Sequence, residues 1–269
     1  MRLTAVAAVA AVVLAGLWWV WGPEPDANEL SARFAPLSVA HPLGTDHLGR
    51  DLLSRLVHGA QLSLGLSAVA LVASVMLGSV VGGLASRRGG LVATALLVTV
   101  DTVGAIPTVV IALVITAAAG PGVASLFASI LVATWAPHAR LAYQLTTKIA
   151  AADFVEAASA VGARPAHVLR RHIWPNAARP LLAHAVLGFP TVLLTVAGLS
   201  FLGLGAQPPR AEWGAMLSDA QPYLERFPLG VVAPASCIVA AGLVVAALGR
   251  RLEQAVVEPS RRRTAHDTA

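Results

Sequence analysis

The chain has 269 residues, 57% of them hydrophobic and 12% charged, with a formal net charge of +5 and a mean hydropathy of +0.72. Soluble domains carry about 25% charged residues, so a soluble globular fold is excluded. A disordered chain and a disulfide scaffold are excluded too, because the chain is too apolar and Cys237 is its single cysteine.

The apolar residues fall in long runs, which predicts an all-α polytopic membrane protein. A spanning helix needs ~20 mostly apolar residues. Six stretches meet or approach this: Leu3–Gly22, Leu62–Ala85, Leu96–Ala119, Gly122–Ala136, Leu181–Gly203 and Leu229–Leu248. The fourth is short and is extended by Pro137–Leu141. The first is read as an uncleaved helix rather than a signal peptide. Its apolar core exceeds a signal sequence's and ends in Trp18, Trp19 and Trp21, residues that favour the lipid–water interface.

Orientation follows from the basic residues of the connections. With the N-terminus inside, fourteen of the nineteen basic residues fall on cytoplasmic segments, among them Arg87, Arg88, Arg164, Arg170 and Arg171. The pI near 10.6 is then mostly positive-inside bias, and nucleic-acid binding is not expected. Both termini are predicted cytoplasmic. The tail carries Arg261–Arg263 and reads as a disordered end beside anionic lipid.

Before the second span, Leu48, Leu52, Leu53, Leu56 and Val57 share one helical stripe, which predicts an interfacial helix. Asp46–Arg50 and Asp51–Arg55 are i, i+4 pairs of opposite charge. In the third span Asp101 is an ionisable residue among apolar ones, a functional candidate by default. Two readings stay open for it: a structural hydrogen bond at the inner end, or part of a gate. Pro107 follows and kinks the helix. In the fifth span Pro190, Thr191 and Thr195 make the best pore candidate, with helix packing by small residues the equal alternative.

The connection 142–180 carries the main signal. Residues 150–176 read AAADFVEAASAVGARPAHVLRRHIWPN. Asp153 followed by Glu156 predicts a capping box opening a short helix to Val161. Gly162 supplies the left-handed position after it. Pro165 suits the first turn of a second helix, which is expected to end before Ile173-Trp174-Pro175. Ala157, Ala158 and Ala160 give one face small residues, which let another protein approach closely. An amphipathic hairpin on the membrane surface, carrying Arg164, Arg170 and Arg171, is the plainer alternative.

Glu156-Ala157-Ala158, then Gly162, then Ile173-x-Pro175 resembles the EAA loop of ABC importer permeases. The family usually has Leu where Trp174 stands. His41-Pro-Leu-Gly-Thr-Asp46-His-Leu-Gly-Arg50-Asp51-Leu-Leu-Ser-Arg55 resembles the C-type permease of dipeptide, oligopeptide and nickel importers. Trp135-Ala-Pro137-His-Ala-Arg140-Leu resembles the end of that family's fourth span. Leu199-Ser-Phe-Leu-Gly-Leu-Gly205-Ala-Gln-Pro-Pro209 with Trp213-Gly-x-Met-Leu217 resembles its outer loop. The motifs occur in the family's order, from about His41 to Pro259.

The resemblance implies a type I ABC importer permease fold with six transmembrane helices and a cytoplasmic coupling helix. It implies three parts: 1–59, the first helix and an outer loop; 60–250, a permease core with its coupling loop; and 251–269, a cytoplasmic tail. Asp153, Glu156, Ala157, Ala158, Gly162, Arg164, Ile173 and Pro175 would couple to an ATPase, with Glu156 facing a basic group there. The implied partners are a B-type permease, two ABC ATPase subunits, an extracytoplasmic substrate-binding protein and membrane lipid. The implied place is a bacterial inner membrane. Small peptides are the first substrate class, with nickel or another small solute as the alternative.

The only lysine, Lys148, lies outside any Gly-Lys-Ser/Thr sequence, so the chain has no Walker A device. ATP and Mg are expected on partner chains, and no catalytic residue, cofactor or metal site is expected here. The eight histidines lack ligand spacing, and no Gly-x-Ser-x-Gly occurs. A stand-alone secondary transporter would have only Asp101 for its ion site. An intramembrane enzyme would lack its motifs.

Overall fold

A computed structural model describes residues 23–266, with 255–266 as backbone. The expected first span, Leu3–Gly22, lies outside the described residues. Those residues are helical apart from turns, loops and one isolated β-bridge, Thr45–Asp51. The helices are α1 (Leu52–Arg88), α2 (Gly90–Ala105), α3 (Thr108–Ala119), α4 (Val123–Ala150), α5 (Asp153–Ala160), α6 (Pro165–Val168), α7 (Trp174–Phe201), α8 (Trp213–Ala220) and α9 (Leu229–His266).

The interfacial helix expected from Leu48 is not separate. Gly49 sits at φ +78 and ends any helical path there. Helix α1 starts only after Asp51, whose Oδ1 accepts the Ser54 N–H at 2.7 Å. Asp51 also meets His41 Nδ1 at 2.9 Å, so it does not pair with Arg55 as the spacing suggested. The other expected pair forms: Arg50 Nε donates to Asp46 at 2.6 Å.

The third expected span is broken. Helices α2 and α3 meet at 89° across Ile106-Pro107. Ile106 is extended at φ −83 and ψ 126, the region a following proline imposes on its neighbour. Among the described residues, three helical stretches are long and apolar enough to cross a membrane: Leu52–Arg88, Pro165–Phe201 and Leu229–Gln254. The bent pair makes a fourth if it is one span. Helix α4, which holds the expected fourth span, is long enough. However, His138 and Arg140 make its second half too polar to join them. The tail expected to be disordered continues α9 as helix to His266.

The chain forms two compact units. The first comprises residues 23–67, 115–126 and 193–241. Its core centres on Trp213, whose Nε1 donates to the Leu56 carbonyl at 2.9 Å. Beside it the fully buried Glu212 accepts from Ser63 Oγ at 2.8 Å and caps α8 through the Ala215 N–H. Gly214 leaves no room for a Cβ against the backbone of Ala197.

The second unit comprises residues 68–114, 127–192 and 242–266. One cluster joins Val100, Ala136 and Ala139; another joins Ala142, Ala177 and Leu181, with Trp174 packed against it. Gly78 and Gly82 of α1 lie against the α4 backbone around Trp135 and Ala139.

Candidate functional site

The connection after α4 is built from local rules. Helix α4 ends at Ala150, and two residues later α5 begins. The capping box does not form. Ala152 is the N-cap, and its carbonyl already accepts from the N–H groups of Val155 and Glu156. The helix therefore starts one residue earlier than the Asp153 cap required. Both carboxylates, Asp153 and Glu156, lie in the first turn, where the helix dipole favours negative charge.

Helix α5 ends at Ala160, one residue before the expected Val161. Gly162 follows at φ +83. Its N–H bonds the Ser159 carbonyl, and the Ala163 N–H bonds the Ala158 carbonyl, at 3.0 and 3.1 Å. That pair of bonds is a Schellman motif, and it turns the chain sharply. Arg164 is extended and caps the next helix, and Pro165 takes its first position as the sequence predicted.

The second helix does not stop before Ile173-Trp174-Pro175. It passes through a π turn, Leu169–Ile173, and continues as α7. The reason lies in Pro175. An α turn would press its ring onto the carbonyl four residues back, at Arg171. The wider π turn relieves that clash just ahead of the proline, so one helical axis runs from Pro165 to Phe201.

The two arms of this element are held together. Val155 and Val168 are buried. The His172 ring stands 6.4 Å from Phe154 and 6.1 Å from His167, centroid to centroid. Asp153, Glu156, Ala157, Gly162, Arg164 and Pro175 are exposed; Ala158 and Ile173 are half-buried. Val161 is 86% exposed and Phe154 47%. The outcome is a short, acidic, small-residue helix with an apolar tip, presented on an anchored turn. The sequence reading did not single out Val155 or Phe154, and it took Val161 only as a helix end. Only the apolar residues among polar neighbours signalled them.

Asp101 and Pro107 are not part of this element, and Pro190, Thr191 and Thr195 lie in the body of α7, away from the turn. Asp101 of α2 pairs with Arg140 of α4, and both side chains are about half exposed. Pro107 stands at the α2–α3 break, and Pro190 lies inside α7. Thr191 is exposed and Thr195 half-buried. No cluster of three metal-ligating side chains occurs among the described residues.

The family described as "Binding-protein-dependent transport system inner membrane component" matches residues 74–258. The chain belongs to that family. Its match covers the whole α5–α7 element. The nickel transport system permease protein NikC of Escherichia coli K12 is 35% identical over 234 residues, covering 87% of this chain and 84% of that one. The di/tripeptide transport system permease protein DppC of Pseudomonas aeruginosa UCBPP-PA14 is 37% identical over 218 residues, covering 80% and 71%.

Among solved structures, an inward-facing methionine ABC transporter MetNI matches with a TM-score of 0.62 at 19% identity, covering 76% of this chain and 96% of that one. An amino acid ABC transporter matches with a TM-score of 0.59 at 18% identity, covering 74% and 93%. These likenesses show the fold: an all-α ABC importer permease fold. This family member is therefore a multi-pass membrane protein and a transport permease.

Proposed function

We propose that the chain is the transmembrane pathway subunit of an ATP-driven importer of small peptides. The observation that carries this reading is the α5–Gly162–α6 element, with Glu156, Ala157 and Val161 exposed on an anchored turn. Such a surface suits a cleft on another protein. The EAA pattern supports an ABC ATPase as that protein. Asp153, Glu156, Ala157, Ala158, Gly162, Arg164, Ile173 and Pro175 are the coupling residues. ATP and Mg bind to two ATPase subunits rather than here. A B-type permease completes the pathway, and a substrate-binding protein delivers the solute. Residues 1–59 form the first helix and outer loop, 60–250 the permease core and 251–269 the tail. Both termini face the cytoplasm of a bacterial cell. Asp101 and Pro107, with Pro190, Thr191 and Thr195, are the gate and pore candidates.

Nickel is the second substrate reading, favoured by the match to NikC. Uptake of labelled dipeptide and of nickel, in cells carrying the complete transporter, separates the two. Glu156→Lys tests the coupling itself. It is expected to abolish uptake and the substrate-stimulated ATPase while leaving membrane insertion intact. Normal uptake by that variant rules out the coupling role.

A further inference from the structure

A recess of about 320 Å³ opens at the base of the α5–α7 element. That is the lower end of the range for small-molecule pockets, ~300–1,000 Å³. Its walls come from three stretches: Val80, Gly83, Leu84, Ser86 and Arg87 of α1; Thr146 and Ala150 of α4; and Leu169, Ile173 and Trp174 of the π turn and α7. The lining is mostly apolar, and Val80 and Leu84 are 55% and 44% exposed. These two fall with Gly83 and Arg87 on one stripe of α1.

The polar groups are few and placed at one end. Thr146 Oγ1 is satisfied within its own helix by the Ala142 carbonyl at 2.6 Å. Ser86 Oγ accepts from Thr147 at 3.1 Å. Arg87 is the one charged residue in the lining; no carboxylate lines the recess, and Arg87 makes no ion pair among the described residues. Thus an apolar slot runs along α1 and ends at the exposed Arg87, which has no ion-pair partner among the described residues. Trp174, an amphipathic ring of the kind that favours the membrane interface, forms its side.

We propose that this recess holds one anionic phospholipid, its acyl chain along Val80, Leu84, Leu169 and Ile173 and its phosphate on Arg87. Charge complementarity selects the lipid. A neutral chain alone would leave the guanidinium unpaired, and a basic peptide would be repelled by it. The lipid spans α1, α4 and the π turn, so its loss loosens the base of the element above. The inference goes beyond the transport reading, and its test reads lipid rather than transport.

The test is native mass spectrometry of the full-length tagged chain, extracted in mild detergent with whatever subunits stay bound. Phosphatidylglycerol should be retained in preference to phosphatidylethanolamine. Arg87→Gln should reduce that retention about fivefold, the scale of one basic residue at an anionic surface. Arg88→Gln removes the same charge one residue outside the lining and should leave retention within about twofold. Gly83→Leu fills the slot beside Trp174 and should abolish retention.

A second arm needs no variant of the slot. In nanodiscs, brominated phosphatidylglycerol should quench the fluorescence lost in Trp174→Phe more than brominated phosphatidylcholine does. Equal retention or quenching by neutral lipid overturns the proposal. So does an equal loss in Arg88→Gln, displacement by inorganic phosphate, or cross-linking of Leu84→Cys to another protein subunit in native membranes.

Discussion

At the scale of single residues, His47 shows how a side chain outside the α5–α6 turn bears on stability. Its ring stacks on Tyr223, with centroids 4.9 Å apart and planes 17° from parallel. Burial lowers its pKa below the ordinary 6.5; Arg50 and Arg33 push the same way, while Asp46 and Asp219 oppose them. The folded state thus favours neutral imidazole, and the unfolded chain takes up its proton near pH ~6.5. The contribution is present above that pH and is lost as pH falls through the lowered pKa. His47→Phe keeps a ring on Tyr223 but cannot titrate. Between pH 7.5 and 5 the wild type should lose more thermal stability than His47→Phe; parallel loss would remove His47 as the cause. None of this was legible in the sequence, because Tyr223 lies far along the chain. Gly162 and Pro165 were legible, since their roles depend on near neighbours alone. The cap at Asp153 was misplaced by one residue, because the start of α5 is fixed by the Ala152 carbonyl.

At the scale of helices, the contact of α1 with α4 rests on Gly78 and Gly82, one turn apart. A Cβ on Gly78 would lie 2.6 Å from the Trp135 carbonyl oxygen and 2.7 Å from the Ala139 nitrogen. On Gly82 it would lie 2.7 Å from the Tyr143 nitrogen and 2.9 Å from the Ala142 Cβ. These partners are backbone or rigid atoms and cannot swing away. Small residues four apart let membrane helices approach this closely. Gly82→Val should therefore force α1 off α4 and cost about 1–3 kcal/mol or more, as overpacking does. Gly65, on the same helix, has nothing within 4 Å of its Cβ position. Gly65→Ala should be neutral or stabilise by up to ~1 kcal/mol through helix propensity. Unfolding in detergent compares the two; equal loss would show that the close approach does not matter. The i, i+4 glycines stood in the sequence but pointed to no partner helix. Helix ends were read better where a local breaker stood, as at Gly162, than at Pro107, where a kink was expected and the helix breaks. They were read worse at Trp174-Pro175, where a π turn carried the helix through.

At the scale of the molecule, the membrane path turns on whether α2 and α3 make one broken span or a re-entrant loop. Composition pointed to a membrane protein, and the clustered basic residues predict its orientation. Hydropathy runs did not reveal the 89° break, because they are blind to direction. Val39 is 98% exposed before α1, and Val161 is 86% exposed after α5. Between them lie α1, the bent pair and α4. If each crosses, the crossings are odd in number and the two valines face opposite sides. If the bent pair turns back, the number is even and they share a side. Cys237→Ala removes the only native thiol, so Val39→Cys and Val161→Cys can be labelled singly with an impermeant maleimide. Arg164, Arg170 and Arg171 follow Val161 in the same connection and predict it inside by the positive-inside rule. Intact cells should therefore label Val39→Cys alone, and inverted vesicles Val161→Cys alone. Labelling of both from one side would make the bent pair re-entrant and leave the coupling element and the outer loop on the same face. An ATPase and a substrate-binding protein would then have to meet the chain on one side of the membrane, and the importer reading would fall with the topology.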